Sequence, residues 1–164
     1  MPRARGFTLL ELLVVIAVLA IALAAVGLAG AGQARQAQGQ ASDLALLIPL
    51  LGEQTQRQRH WHGLRIQADS YQVMQLRGQP PRWHVLPGHE PVLLPDGWQW
   101  QLHTATELAA AVQAADGGPA PQLVVAADGQ TTPFRLQLRP RDGGQAGWLL
   151  HGDGFNQPLL EPAP

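Results

Sequence analysis

The sequence predicts an α+β protein in which one long N-terminal helix is followed by a mostly antiparallel β head. Three observations lead there. Between Glu11 and Arg35 no side chain carries a charge. From Ala34 to Leu51 small and aliphatic residues recur every three or four positions, which is the period of one helix face. Beyond Arg59 apolar and polar residues alternate, and five of the seven Asp residues are followed by Gly. Asp-Gly supplies the positive φ that tight hairpin turns need.

The chain opens with MPRARG, a short basic segment without acid. Leu12–Gly32 is an uncharged run of 21 residues. As a helix it spans roughly 30 Å, the hydrocarbon thickness of a bilayer. Arg3 and Arg5 flank it on one side, an asymmetry that keeps the N-terminus cytoplasmic and sends the remainder across. A secretory signal peptide cut near Ala29–Ala31 would share these features, but the run is longer than such a segment needs and Glu11 lies at its start. A plain anchor has no use for that acid either. A carboxylate at membrane depth costs about 2.5–3.5 kcal/mol, less near an end, and normally marks a function.

The next segment reads as an amphipathic helix. Ala34, Ala37, Ala41, Leu44, Ala45, Ile48 and Leu51 form one stripe, and Gln33, Gln36, Gln40 and Asp43 lie opposite. Pro49 removes the bond to the Ala45 carbonyl and is expected to kink or divide the helix; Gly52–Gln58 reads as its last turns. Strands are expected at 64–67, 71–77, 82–86, 98–103, 122–126, 134–139 and 148–151. In the 134–139 segment Phe134, Leu136 and Leu138 share a face. A short helix is expected over Thr106–Ala115, with Thr104 or Thr106 as its N-cap. Asn156–Pro164 contains three prolines and reads as a loose tail.

Composition narrows the chemistry. The 164 residues suit one domain, and a 46% hydrophobic content excludes a disordered chain. There is no Cys, hence neither a disulfide nor a thiolate metal site. All 11 cationic residues are Arg; without Lys there is no P-loop phosphate ligand and no Schiff base. The net charge of −1 becomes −3 if Met1–Gly6 and its two Arg are removed, a poor footprint for nucleic acid. The Gly clusters lack dinucleotide-binding spacing. His60 and His62 could share a strand face, but no third metal ligand is evident, and a polar pair at the helix-to-sheet junction is the simpler account. The Asp-Gly sites lack the alternating oxygen ligands of a calcium loop. Ser42 and Ser70 have no nucleophile-elbow context. Trp98 and Trp100 share a face suited to core or subunit packing. No cofactor, small-molecule substrate or catalytic residue is expected.

The residues Arg5-Gly6-Phe7-Thr8-Leu9-Leu10-Glu11 resemble the signature of type IV prepilins. The resemblance implies a pilin-like fold, cleavage after Gly6 by a prepilin peptidase, N-methylation of Phe7, and an assembly role for Glu11. Cleavage would create a positive amine on Phe7 in apolar surroundings. Glu11, one helical turn on, could neutralise that amine in its own chain or in a neighbour. Such a pair would set the register of stacked helices. Gly27, Gly30 and Gly32 each weaken the helix by about 1 kcal/mol relative to Ala, either for close helix packing or for local melting inside a filament.

The implied plan is a leader at 1–6, a transmembrane helix half at 7–32, an amphipathic periplasmic half at 33–60, a β-rich head at 61–155 and a flexible tail at 156–164. A second stretch, Asp128-Gly129-Gln130-Thr131-Thr132-Pro133-Phe134-Arg135-Leu136, resembles the Gly-x-x-Thr-Pro-Phe-x-Leu segment of the type II secretion minor pseudopilin H family. That family would make the chain a structural subunit near the tip of a periplasmic pseudopilus. Its partners would be the tip subunits, the major pseudopilin and the inner membrane. The alternative is a minor pilin of a type IV or DNA-uptake pilus, for which Arg135, Arg139 and Arg141 form the nearest cationic cluster.

Overall fold

The computed structural model describes residues 9–104, 120–144 and 147–163, except the side chains of 24–30 and 104. Helix α1 runs without a break from Leu9 to Gln58, so the apolar and amphipathic stretches are one element. Glu11 is in its first turn and Arg57 in its last, each at the end where the helix dipole favours its charge. Pro49 lies inside α1 and does not divide it. The helix stops at Arg59, whose φ of 53° is left-handed. The Arg59 N–H donates to the Thr55 carbonyl at 2.8 Å, and a left-handed residue just past the last turn is a common helix stop.

The chain divides into two units, Met1–Gln36 and Ala37–Pro164. In the first, every side chain from Leu9 to Leu23 is exposed; Leu9 is 81% and Ile21 71% accessible. Among the described residues no helix is long and apolar enough to cross a membrane. The apolar part whose side chains are described, 9–23, is shorter than the ~20 residues a bilayer requires.

In the second unit the predicted stripe is buried: Ala37, Ala41, Leu44, Ile48 and Leu51 are each 3% accessible or less, and Thr55 extends it. Gln40 is half-buried and donates through Nε2 to the Leu93 carbonyl at 2.7 Å. The head contains two antiparallel sheets. The first has β1 (His62–Ile66), β2 (Ser70–Arg77), β3 (Arg82–Val85), β4 (Val92–Leu93) and β6 (Leu123–Val125), in the order β3-β2-β1-β6 with β4 also on β2. The second orders β5 (Trp98–Thr104), β7 (Phe134–Pro140), β8 (Trp148–Gly152) and β9 (Leu159–Pro162) as β5-β7-β8-β9.

Register decides which residues become core. Leu102, Leu136, Leu150 and Leu160 stand in one row across the second sheet, and Trp100, Leu138 and Trp148 in the next. Leu136, Leu138 and Leu150 are fully buried, whereas Arg135 and Arg139 point to the exposed face, as strand alternation requires. Trp98 and Trp100 are buried, and Trp98 packs on Trp148 with ring centres 5.3 Å apart. That is the core alternative for this pair. On the first sheet, Met74, Trp83 and Val124 form a separate small core, flanked by Leu76 and Ala120.

Four of the five Asp-Gly sites are described, and their glycines Gly97, Gly129, Gly143 and Gly154 all have positive φ. Two strands were not anticipated. β4 has only two residues, too few for a period to show. β9 lies in the tail that was expected to be loose, and it pairs with β8 over Trp148–Pro162 to His151–Leu159. Its one proline, Pro162, is tolerated because an edge strand needs ladder bonds on one side only. The 122–126 strand is shorter than expected, Leu123–Val125; before it the Gln122 N–H donates to the Leu64 carbonyl at 3.1 Å, while its side-chain amide accepts from the Ile66 N–H at 2.8 Å and donates to the Ile66 carbonyl at 3.1 Å. The expected helix over Thr106–Ala115 lies outside the described residues.

Candidate functional site

The N-terminal candidates divide between what is described and what is not. Gly6 and Phe7 lie outside the described residues. Glu11 is on the first turn of α1, exposed, among side chains that are otherwise apolar. Leu10, Leu12 and Leu13 beside it are 73%, 59% and 56% accessible. An apolar surface of this extent without cover inside its own unit calls for a cover from outside the chain.

The Asp128–Leu136 stretch is a joint between the two sheets. Gly129 has φ +87°, and a Cβ there would collide with the Gln56 side chain of α1. Gln56 donates to the Asp128 carbonyl at 3.2 Å, and the Asp128 carboxylate accepts from the Gln130 N–H at 3.0 Å. Thr132 is buried; its hydroxyl accepts from the Val124 N–H at 3.1 Å on the first sheet. Two residues on, Phe134 opens β7 of the second sheet and lies against Gly152, where a Cβ would come within 2.8 Å of the ring. The Thr131 N–H also donates to the Gly154 carbonyl at 2.9 Å. Gly, Thr and Phe in this order therefore each answer a steric or hydrogen-bonding demand of the joint. Gln56 and Gly152, which complete it, were not singled out in the sequence, whereas Gly154 was marked as the glycine of the Asp153-Gly turn. Gly152, one residue before that turn, had the turn itself as its available signal.

His62 takes a structural part. It is 1% accessible, and its Nδ1 lies 2.7 Å from the Thr55 hydroxyl, which in turn donates to the Leu51 carbonyl at 2.7 Å. With the hydroxyl proton used there, Nδ1–H of His62 is the donor to Thr55. His60 is exposed, and no group of three metal-ligand residues exists among the described residues. Burial, and after it the charge of His60, lowers the pKa of His62. The native state therefore resists a proton that the unfolded chain accepts below about pH 6.5. Stability from this group is complete above that value and declines as the pH falls toward the lowered native pKa. The melting temperature should drop between pH 7 and pH 5, and His62→Gln should flatten the decline. An unchanged slope in that variant would assign the acid sensitivity to other groups.

Among the described residues no Asp-Gly turn gathers three metal-ligand side chains. Asp153 is the clearest case. The Phe155 and Asn156 N–H groups donate to its Oδ1 at 2.9 and 2.8 Å, and the Asn156 amide to Oδ2 at 2.7 Å. The backbone and side chain of Asn156 lead in lowering its pKa to about 2. Arg135 and Arg139 share the outer face of β7, with Arg135 between His103 and His151. His151 pairs with Glu161 at 3.2 Å, so an acid adjoins this surface.

Residues 1–27 match the prokaryotic N-terminal methylation motif. The chain is 30% identical to type II secretion system protein H of Pseudomonas aeruginosa, with 99% of each chain covered. It belongs to the family of type II secretion minor pseudopilin H. The fold agrees: the minor pseudopilin EpsH of Vibrio cholerae superimposes with TM-scores of 0.62 and 0.63 in two structures, at 21% and 22% identity, covering 77% and 79% of this chain and 97% and 96% of the other. The solution structure of GspH from E. coli gives a TM-score of 0.58 at 20% identity, covering 80% of this chain and 89% of that one. As a pseudopilin the chain is a structural protein, not an enzyme. Its prepilin motif implies processing by a prepilin peptidase, and its family implies other pseudopilins as neighbours.

Proposed function

We propose that the chain is cut between Gly6 and Phe7, methylated on Phe7, and held in the inner membrane by the helix half at 7–32 with its head in the periplasm. From there it enters a pseudopilus near the tip, between the tip subunits and the major pseudopilin. The filament helps drive folded proteins through the outer membrane. The observation that carries this reading is the exposed apolar start of α1, with Glu11 in its first turn, continuous with the helix of the folded head. An element of that kind needs lipid or other helices around it, and its single acid suits the new amine of a processed neighbour. Glu11 is accordingly the assembly residue.

The test is genetic. Deleting the chain from its own host should leave secreted proteins folded in the periplasm and abolish their appearance in the medium, with restoration by the intact gene. Normal secretion together with loss of DNA uptake or surface pili would favour the pilus alternative instead.

A further inference from the structure

We propose that the outer side of β9 is an edge closed by proline, and that Pro158 and Pro162 keep a second copy of this chain from joining its second sheet strand to strand. The hydrogen-bond phase of the sheet leads there. Across β8 and β9, Trp148 stands opposite Pro162, Leu149 opposite Glu161, Leu150 opposite Leu160 and His151 opposite Leu159. One step further, the Ala163 N–H donates to the Gly147 carbonyl at 2.9 Å. Antiparallel partners alternate between bonded and non-bonded pairs. Leu159 and Glu161 therefore turn their backbone groups to β8, and Leu160 and Pro162 turn theirs outward. Pro158, directly before the strand, has the outward phase as well.

Proline has no N–H to give. Of the outward positions 158, 160 and 162, only Leu160 retains a donor. Two copies of β9 laid antiparallel about Leu160 would bond there. They would then set Pro158 of each copy against Pro162 of the other, where the donors are missing. Other means of guarding an edge, such as a cover or a charge aimed along it, are not found. Among the described residues no strand lies beyond β9, which ends its sheet, and no backbone bond reaches its outer side. Glu161 is the one charged residue of β9, and it lies over the sheet face, 3.2 Å from His151. The protection rests on the two prolines.

The other edges of the head are treated differently. At the opposite side of the same sheet, the outward N–H groups of Trp98 and Trp100 on β5 donate to the Pro95 and Ala68 carbonyls at 3.2 and 2.8 Å. On the first sheet, the Thr132 N–H donates to the Val124 carbonyl of β6 at 2.9 Å, and the Thr132 hydroxyl accepts from the Val124 N–H at 3.1 Å. At β3 the Leu86 N–H donates to the Val73 carbonyl at 3.0 Å, so by the same alternation Trp83 and Val85 face outward. Pro81 and Pro87 bracket them, which leaves less than the length of an ordinary strand. With β5 bonded to its own chain and β9 capped by proline, another molecule meets the second sheet through side chains and not by adding a strand.

The experiment uses the full chain in nonionic detergent, one chain per micelle. Sedimentation velocity reads self-association, and hydrogen exchange by mass spectrometry reads its place. Pro158→Thr with Pro162→Thr restores both N–H groups on a polar strand former. It should tighten self-association by about tenfold or more, with slowed exchange in peptides spanning 158–162. Pro162→Thr alone should give a smaller gain of the same kind. Leu159→Thr, whose N–H faces β8, should leave association at the wild-type level. A double variant that associates no more than wild type overturns the proposal. So does association without slowed exchange in β9, slowed exchange that appears over 82–86 instead, or an equal gain from Leu159→Thr. Wild-type copies already joined through β9 overturn it as well. If the double variant lacks the wild-type melting transition, Pro162→Thr alone decides by the same two readings.

Discussion

A Gly6→Val chain should accumulate at its unprocessed mass, beginning with Met1, and secretion should fall to the level of a strain without the chain. The residue before the scissile bond must let a peptidase active site approach the backbone closely, and only Gly has no Cβ to obstruct that approach. Without the cut there is no Phe7 amine. The basic Arg3 and Arg5 then stay attached to the helix that must pack in the filament. Intact-mass spectrometry of membrane extracts reads the outcome directly. A mature N-methylated Phe7 terminus in the variant would show that the cut is elsewhere.

Glu11→Ala should separate processing from assembly. The motif up to Phe7 is untouched, so cleavage and methylation should proceed. The new amine would then lack its carboxylate partner in apolar surroundings, where removing one member of a buried pair costs about 3–5 kcal/mol. At about 1.4 kcal/mol per tenfold, recovery in isolated filaments should fall by roughly a hundredfold or more. Glu11→Asp, which keeps the charge on a shorter stem, should recover part of it. Wild-type incorporation of Glu11→Ala would end the register argument.

These two expectations come from the part of the chain that was plainest in the sequence. A charge-free run and a three-to-four-residue stripe are coarse signals, and α1 followed both without a break. The Asp-Gly turns were legible because a positive φ leaves few residue choices. Trp98 and Phe134 to Leu138 were legible because alternation continues for several residues. The contacts that close the head were not legible. Thr55 and His62 meet only because α1 ends at Arg59 and β1 turns back. Gly63 is small because Pro121 lies against it, where a Cβ would stand 2.5 Å from the proline ring; nothing within either local segment announces the other. β9 was hidden by Pro162 and by the flanking Pro158 and Pro164; proline argues against a central strand and permits an edge strand equally.

The position of β9 has a consequence for the order in which the head is completed. The second sheet is laid down in chain order from one edge to the other, β5-β7-β8-β9, so its last strand, Leu159–Pro162, closes onto β8 at the end. Until those residues join the sheet, β8 presents an open row of backbone donors and acceptors. Such a row invites strands from other molecules. Protection of the head from strand exchange is thereby tied to these four residues.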